Sequence, residues 1–360
     1  MKIGILTHYQ VESHGACLQH YALTQYLKSL GHDVFTLSYN KNLDFATHKE
    51  QKKFSVGLKS IPFYLKEYLF AQGISFIITM AKKHYLLTQF NQKNFRFLSY
   101  ADADLDIAIV GSDEVWSLQL GANMMMYGHG VDARRLIAYA PSFGQTNEDL
   151  INKRHCKALI EAGLKEFDSL SVRDEGSQRV VESLLGISPE LVCDPVLLYG
   201  FEKELAEYKP VTKEKYVVVY GYNSNMNEPD RIRDIRKYAK GIGAKVYSVG
   251  AFHKWCDKQV ACDPIDMLYW FKGAEAVFTD TFHGTIAAFL GHTPMAVYVR
   301  STNNVKLEHL LKILGITERK VSEQNTIFEI MKKEISFAEL QKSFEIFRKK
   351  SALYLKAVLQ

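Results

Sequence analysis

Several short stretches of this chain place reactive side chains directly after apolar runs, which is where parallel strands deliver residues to a ligand crevice. The most informative is Val277-Phe278-Thr279-Asp280-Thr281-Phe282-His283-Gly284-Thr285. His283 falls at a strand-to-helix turn with glycine after it, so it would stand at an anion-attracting helix N-terminus and could donate a proton there. The plainer alternative is a structural histidine. In Gly111-Ser112-Asp113-Glu114-Val115-Trp116, Asp113 follows the run DIAIV and suits a general base, a carboxylate that binds a hydroxyl, or a helix cap. Arg173 ends the run 169–172, and an arginine leaving a buried strand needs a carboxylate or phosphate for its fork. A ligand anion would serve, and so would a salt bridge to Asp174 or Asp194. Near the start, His8-Tyr9-Gln10-Val11-Glu12-Ser13-His14-Gly15-Ala16 puts Gly15 at a helix opening, where backbone N–H groups can approach an anion. Neither GxGxxG nor GxxxxGKS/T occurs, so the dinucleotide fingerprint and the P-loop are absent. Ala140-Pro141-Ser142-Phe143-Gly144 reads by itself as a turn, and Phe252-His253-Lys254-Trp255 as a surface loop.

The elements that must hold these residues follow from hydrophobic periodicity. Residues 2–7 and 34–39 read as strands around a helix in which Leu18, Tyr21, Ala22, Tyr26, Leu27 and Leu30 recur at helical spacing, capped by Ser13 and ended by Gly31. Residues 41–100 are basic, rich in Phe and Tyr, helical in pattern and without strand signals, and read as a helical insertion. Strands are expected again at 106–110, 136–140, 169–172 and 191–193, with helices at 148–166 and 175–185. After a polar stretch the run YVVVY at 216–220 starts a second series, with strands at 245–249, 276–279 and 295–299 and helices at 231–240, 265–272 and from near His283. Strands alternating with helices argue for parallel sheets, and the restart near 210 for two of them. The expected organisation is an α/β chain with an N-terminal Rossmann-like domain at 1–205, a C-terminal one at 206–335, and a C-terminal helix at 336–360 packing back on the first domain.

Charged residues make up 24% of the chain and hydrophobic ones 47%, which fits a soluble folded protein and excludes a disordered one. Forty-five basic against 40 acidic residues give a net charge of +5, which suits an anionic small molecule or surface and is too weak for nucleic acid. Cys17, Cys156, Cys193, Cys256 and Cys262 lie far apart without a CxxC pair, which argues against a zinc cluster or disulfide framework and for a reduced, intracellular chain. The opening MKIGILTHY is too short an apolar run for a signal peptide. The most apolar long stretch, 68–80, is interrupted by Gln72, flanked by Lys66 and Lys82, and short of the roughly 20 residues a spanning helix needs. A cytoplasmic protein is expected. The basic-aromatic insertion (Lys52, Lys53, Lys59, Lys66, Lys82, Lys83, Lys93, Arg96) would suit either a peripheral contact with the inner face of a membrane or a solvated helical face.

Taken in order, GILTHYQVESHGACLQHYALTQYLKSLGHDV, DIAIVGSDEVWS, IAYAPSFG, LSVRDEGS, VCDPVLL and VFTDTFHGTIAAFLGHTPM resemble the polysaccharide pyruvyl transferase family from residue 4 to about 315. The resemblance implies a glycosyltransferase-B-like pair of Rossmann-type domains with the site in the cleft. It also implies transfer of pyruvate from phosphoenolpyruvate onto two hydroxyls of a sugar in a cell-surface polysaccharide, capsule or cell-wall glycan, or its lipid-linked precursor. A ketal forms and phosphate leaves, with no cofactor beyond the donor substrate and no metal. Carried over by motif, His283 is the acid or a donor to the leaving phosphate and Asp113 the base, while Arg173, Gly15, Gly284, Ser142 and Arg300 hold the donor and Ser13, His14 and Trp116 meet the acceptor. Two departures stand out. Some members have Arg-Leu before the histidine where this chain has Thr281-Phe282, so Arg300 or Lys306 would have to supply the missing cation. Ser13-His14 stands where Asn-Tyr is common. The other readings of such a cleft are a nucleotide-sugar glycosyltransferase and a non-catalytic glycan-assembly protein; the joint presence of Arg173, Asp113 and His283 counts against the latter.

Overall fold

A computed structural model describes residues 1–41, 44–47, 73–101, 103–119 and 121–360, so much of the segment expected as a helical insertion lies outside the described residues. Strands β1 (Lys2–Leu6), β2 (Asp33–Ser38), β3 (Phe97–Ser99), β4 (Leu105–Val110), β5 (Ala133–Ala138), β6 (Ser169–Val172) and β7 (Glu190–Leu191) form one sheet in the order β3-β2-β1-β4-β5-β6-β7. Strands β8 (Tyr216–Tyr220), β9 (Lys245–Val249), β10 (Lys258–Val260), β11 (Val277–Thr279) and β12 (Met295–Val297) form a second, ordered β10-β9-β8-β11-β12. Every pairing is parallel. Both orders are of Rossmann type: the chain runs outward from a central strand, then returns to its other side. That reversal opens a crevice beyond β1 and β4 in the first sheet and beyond β8 and β11 in the second. Helices on both faces bury the inner strands, which explains why YVVVY in β8 and IAIV in β4 are continuous apolar runs, buried throughout.

The helices are α1 (His14–Ser29), α2 (Ile74–Asn94), α3 (Glu148–Lys153), α4 (Lys157–Lys165), α5 (Glu175–Leu185), α6 (Pro195–Tyr199) and α7 (Glu202–Ala206) in the N-terminal half. They continue as α8 (Pro229–Gly241), α9 (Pro264–Lys272), α10 (Phe282–Leu290), α11 (Asn304–Ile313), α12 (Ile327–Lys332) and α13 (Phe337–Leu359). None among the described residues is long and apolar enough to cross a membrane. A single apolar core joins Leu18 and Leu23 of α1, Val196 to Leu198 of α6, Ile286 and Phe289 of α10, and Phe344 and Leu355 of α13. Along the first sheet, Ser351 Oγ of α13 accepts from Cys193 N at 2.9 Å, and Arg135 Nη2 donates to Val358 O at 2.8 Å.

The structure corrects several expected boundaries. Residues 97–99, placed in an insertion without strands, form the edge strand β3, too short for alternation to show. Strand β5 begins at Ala133 and ends at Ala138, displaced from 136–140. Strand β10 and helix α11 were not anticipated, although Leu307, Leu310, Leu311 and Leu314 of the latter carry helical spacing. The 252–255 stretch is not a surface loop: Phe252 and His253 are buried, with His253 Nδ1 2.9 Å from Ser248 Oγ.

Candidate active site

The loops after β1, β4, β8 and β11 converge where the two domains meet. The turn after β4 is held from below. Gln19 Oε1 on α1 accepts from Ser112 N and Ser112 Oγ, and Thr7 Oγ1 donates to Ser112 O at 3.0 Å. Asp113 sits at φ +75, a left-handed conformation that costs a non-glycine residue and persists where the surrounding structure over-determines the backbone. Its carbonyl accepts from Ser142 N at 2.8 Å.

Arg173 leaves β6 almost fully buried and spends its fork on carboxylates, Nη1 donating to Asp194 at 2.8 Å and Nη2 to Asp113 at 3.3 Å. Its guanidinium carbon lies 4.8 Å from the centre of the Phe282 ring. Nε has no acceptor. From the other domain His283 enters this cluster, with Nε2 3.5 Å from Asp194 Oδ2, an ion pair when the ring is protonated. Gly15 makes that approach possible, since a Cβ there would lie 2.3 Å from His283 Nδ1. Asp194 also caps α6, accepting from Val196 N. Burial pushes the Asp113 carboxyl up, but Arg173, helped by His283, His8 and Lys306, more than offsets this and holds it down at about 2. Burial acts likewise on Asp194, and His283 and Arg173 bring it below the ordinary carboxylate value.

The structure therefore brings His283, Asp113 and Arg173 together and moves other expected residues elsewhere. Trp116 is fully buried, its Nε1 donating to Met126 O at 2.8 Å, so it supports the loop from beneath and offers no face to an acceptor. Ser142 is buried with its hydroxyl on Asp174 at 2.7 Å. His14 is buried between the domains, with Nε2 2.9 Å from Cys262 O and its ring against Gly250. Ser13 caps α1 and Thr281 caps α10 by accepting from Gly284 N at 3.0 Å, so that Gly284 N–H is already taken. Thr281 thus caps a helix. Arg300 Nε lies 2.8 Å from Asp280 Oδ2, and Lys306 pairs with Glu114 across the cleft. A cap, a core aromatic and a ligand contact share the same residue types, which is why the sequence could not separate them.

Residues not singled out by sequence complete the site. His8 follows β1 with Nε2 3.4 Å from Glu114 O and Nδ1 3.3 Å from Tyr39 Oη; since a carbonyl only accepts, Nε2 donates. Tyr222, just past β8, is 62% exposed, and desolvation, followed by the charges of Asp113 and Glu114, pushes its hydroxyl up to about 12. Asp194 was visible only as a salt-bridge alternative for Arg173.

Buried neutral histidines give the fold a pH dependence. Burial pushes His14 and His20 down to about 3 and His253 to about 4. Unfolded imidazoles titrate near 6.5, so below about that pH the unfolded chain binds protons that the folded chain refuses, and stability falls toward acid. The urea midpoint should decline from about pH 6.5 to 4, and less steeply in His20→Gln; a flat midpoint would contradict neutral burial.

A family model described as polysaccharide pyruvyl transferase matches residues 14–302. No curated protein matches the chain. Among solved structures it resembles a UDP-N-acetylglucosamine 2-epimerase, described as putative, from Listeria monocytogenes at 10% identity and TM-score 0.48, over 95% of this chain and 90% of that one. An alpha-glucosyltransferase in complex with UDP-glucose and DNA matches at 12% identity and TM-score 0.46, over 98% and 94%. MnaA of S. aureus with UDP matches at 11% and 0.44, over 95% and 90%. Likenesses this distant say nothing about the chemistry of this chain.

Proposed function

The chain belongs to the polysaccharide pyruvyl transferase family, and from that membership and the cleft we propose that it moves pyruvate from phosphoenolpyruvate onto two hydroxyls of a sugar, forming a ketal and releasing phosphate. The observation that carries this reading is the meeting of Arg173, whose buried Nε has no acceptor, with His283, whose Nε2 lies 3.5 Å from Asp194, at one carboxylate pair. Buried N–H groups are almost always bonded, so an orphan guanidinium N–H at the meeting of two sheet crevices is suited to a ligand's oxygen.

Phosphoenolpyruvate brings a carboxylate and a phosphate, and its methylene carbon must gain a proton before a hydroxyl attacks its neighbour. In the first half His283 gives that proton while the first sugar hydroxyl bonds to the adjacent carbon and passes its own proton to Asp113. In the second half the other hydroxyl displaces phosphate, its proton going to His283, and the departing phosphate takes the proton from Asp113. Both groups return to their starting state, and the chain's role is positioning and proton transfer. Tyr222 at the mouth offers an exposed ring for the sugar.

The acceptor we assign is a cell-surface polysaccharide or its lipid-linked precursor, modified on the cytoplasmic side. Supporting a peripheral membrane contact, α2 contains no acidic residue and exposes Ile74, Ile78 and Tyr85 beside Lys82.

Calorimetric titration tests the donor. Saturable binding of phosphoenolpyruvate that raises the melting temperature, without binding of UDP-glucose, is expected. Binding of UDP-glucose in its place would turn the reading to a nucleotide-sugar glycosyltransferase.

A further inference from the structure

In the arrangement described, Asp113 is a poor proton acceptor. A carboxylate held at about 2 has little affinity for a proton, and the group that holds it there is the guanidinium that the donor also needs. The geometry around Arg173 shows how both demands are met.

The three carboxylate and guanidinium groups are not held alike. Asp194 is fully buried, takes Arg173 Nη1 at 2.8 Å and accepts from Val196 N at 2.9 Å. Asp113 has a side chain 21% exposed, against 2% for Arg173. Its 3.3 Å contact with Arg173 Nη2 is the one hydrogen bond found for its carboxylate among the described residues. Charge-assisted N–H···O bonds are usually about 2.7–2.9 Å, so this contact is long. Nε and Nη2 together form the side-on edge of the guanidinium, a two-pronged seat for a planar carboxylate. Within the protein Nε has no acceptor, and Nη2 makes only the long contact with Asp113.

We propose that Asp113 is an internal stand-in for the donor's anion: the donor carboxylate takes the Nε–Nη2 edge of Arg173, and the displaced Asp113 turns toward the acceptor and receives its hydroxyl proton. This rests on the reading of the chain as a phosphoenolpyruvate-dependent transferase. Freed from Arg173, the Asp113 carboxylate keeps His283, His8 and Lys306 as charged or titratable neighbours and loses the cation that most suppresses its basicity. The base is then available only when the donor is present, so the donor binds first and acceptor hydroxyls are not activated without it. Asp194 stays in place and keeps Arg173 aimed.

Asp113→Asn keeps the shape and removes the charge. If Asp113 competes with the donor, the variant binds phosphoenolpyruvate several-fold more tightly while kcat falls by about 10²-fold or more. If Asp113 only braces Arg173, donor affinity falls along with activity. Titrations of wild type and Asp113→Asn with phosphoenolpyruvate, pyruvate and inorganic phosphate separate the cases. Donor binding by wild type that is equal or weaker in the variant overturns the exchange and leaves the reaction assignment standing. No binding of phosphoenolpyruvate by wild type, with pyruvate binding gained in Asp113→Asn, upholds the exchange and removes the donor. Phosphate without pyruvate binding moves the seat from the donor's carboxylate to its phosphate, and no binding of any anion overturns both ideas. Should the variant not fold, the Arg173 Nε–H resonance of the wild-type protein, identified by its loss in Arg173→Lys, must shift on addition of phosphoenolpyruvate; an unmoved resonance under saturating donor refutes the exchange.

Discussion

Replacing His283 with alanine is expected to lower turnover by about 10²–10⁴-fold, the usual worth of a positioned proton donor, with a melting temperature close to that of the unaltered chain. The fold around it does not depend on the ring. Helix α10 starts from the Thr281 cap and is anchored by Ile286, Ala288 and Phe289, all buried. Truncation removes the 3.5 Å contact with Asp194, whose carboxylate keeps Arg173 Nη1 and Val196 N as donors. Donor affinity should survive, because the Arg173 edge is untouched. Steady-state assay with thermal unfolding checks both halves, and near-normal turnover would remove His283 from proton transfer. A severe loss of stability would instead make it a packing residue between the domains.

Arg173→Ala should behave differently and cost about 3–5 kcal/mol of stability, the range for breaking a buried ion pair by removing one partner. Asp194 would be left fully buried without its guanidinium, with His283 3.5 Å away as its remaining basic neighbour, and Asp113 without its one side-chain hydrogen bond among the described residues. The face of Phe282 opposite the guanidinium would also be uncovered. Arg173→Lys should fall between, since a single ammonium cannot span both carboxylates and rest on the ring. Urea unfolding measures the difference. A cost under about 1 kcal/mol, the range of exposed pairs, would mean that water reaches the network and that Asp194 is not truly buried. The expected contrast is between a residue whose loss stops turnover and one whose loss also loosens the junction of the two domains.

Much of the fold was legible because local signals there agree. Buried parallel strands must be apolar on both faces, so IAIV and YVVVY announced themselves, and Ser13 marks a helix start that the structure confirms as a cap, while the caps Asp194 and Thr281 emerge only from the structure. Strands β3 and β10 escaped because their three residues are partly exposed and lack the buried apolar run that marks the equally short β11 and β12. Within the site, the position of His283 after a strand and the need of Arg173 for a carboxylate were both readable. The direction in which each loop side chain points was not, so Trp116, Ser142 and His14 carried the right chemistry into the wrong environment.

By itself, then, the sequence determined two parallel α/β domains, the strand ends at which reactive residues emerge, and the likeness to a transferase family. Only the tertiary structure decided that Arg173 already holds two carboxylates, that Thr281 caps a helix where a cation could have stood, and that His283 reaches Asp194 past Gly15. The physical reason is range. Periodicity and capping are settled by residues within a few positions of one another, whereas a buried charge is compensated by whatever the packing of two distant sheets brings beside it.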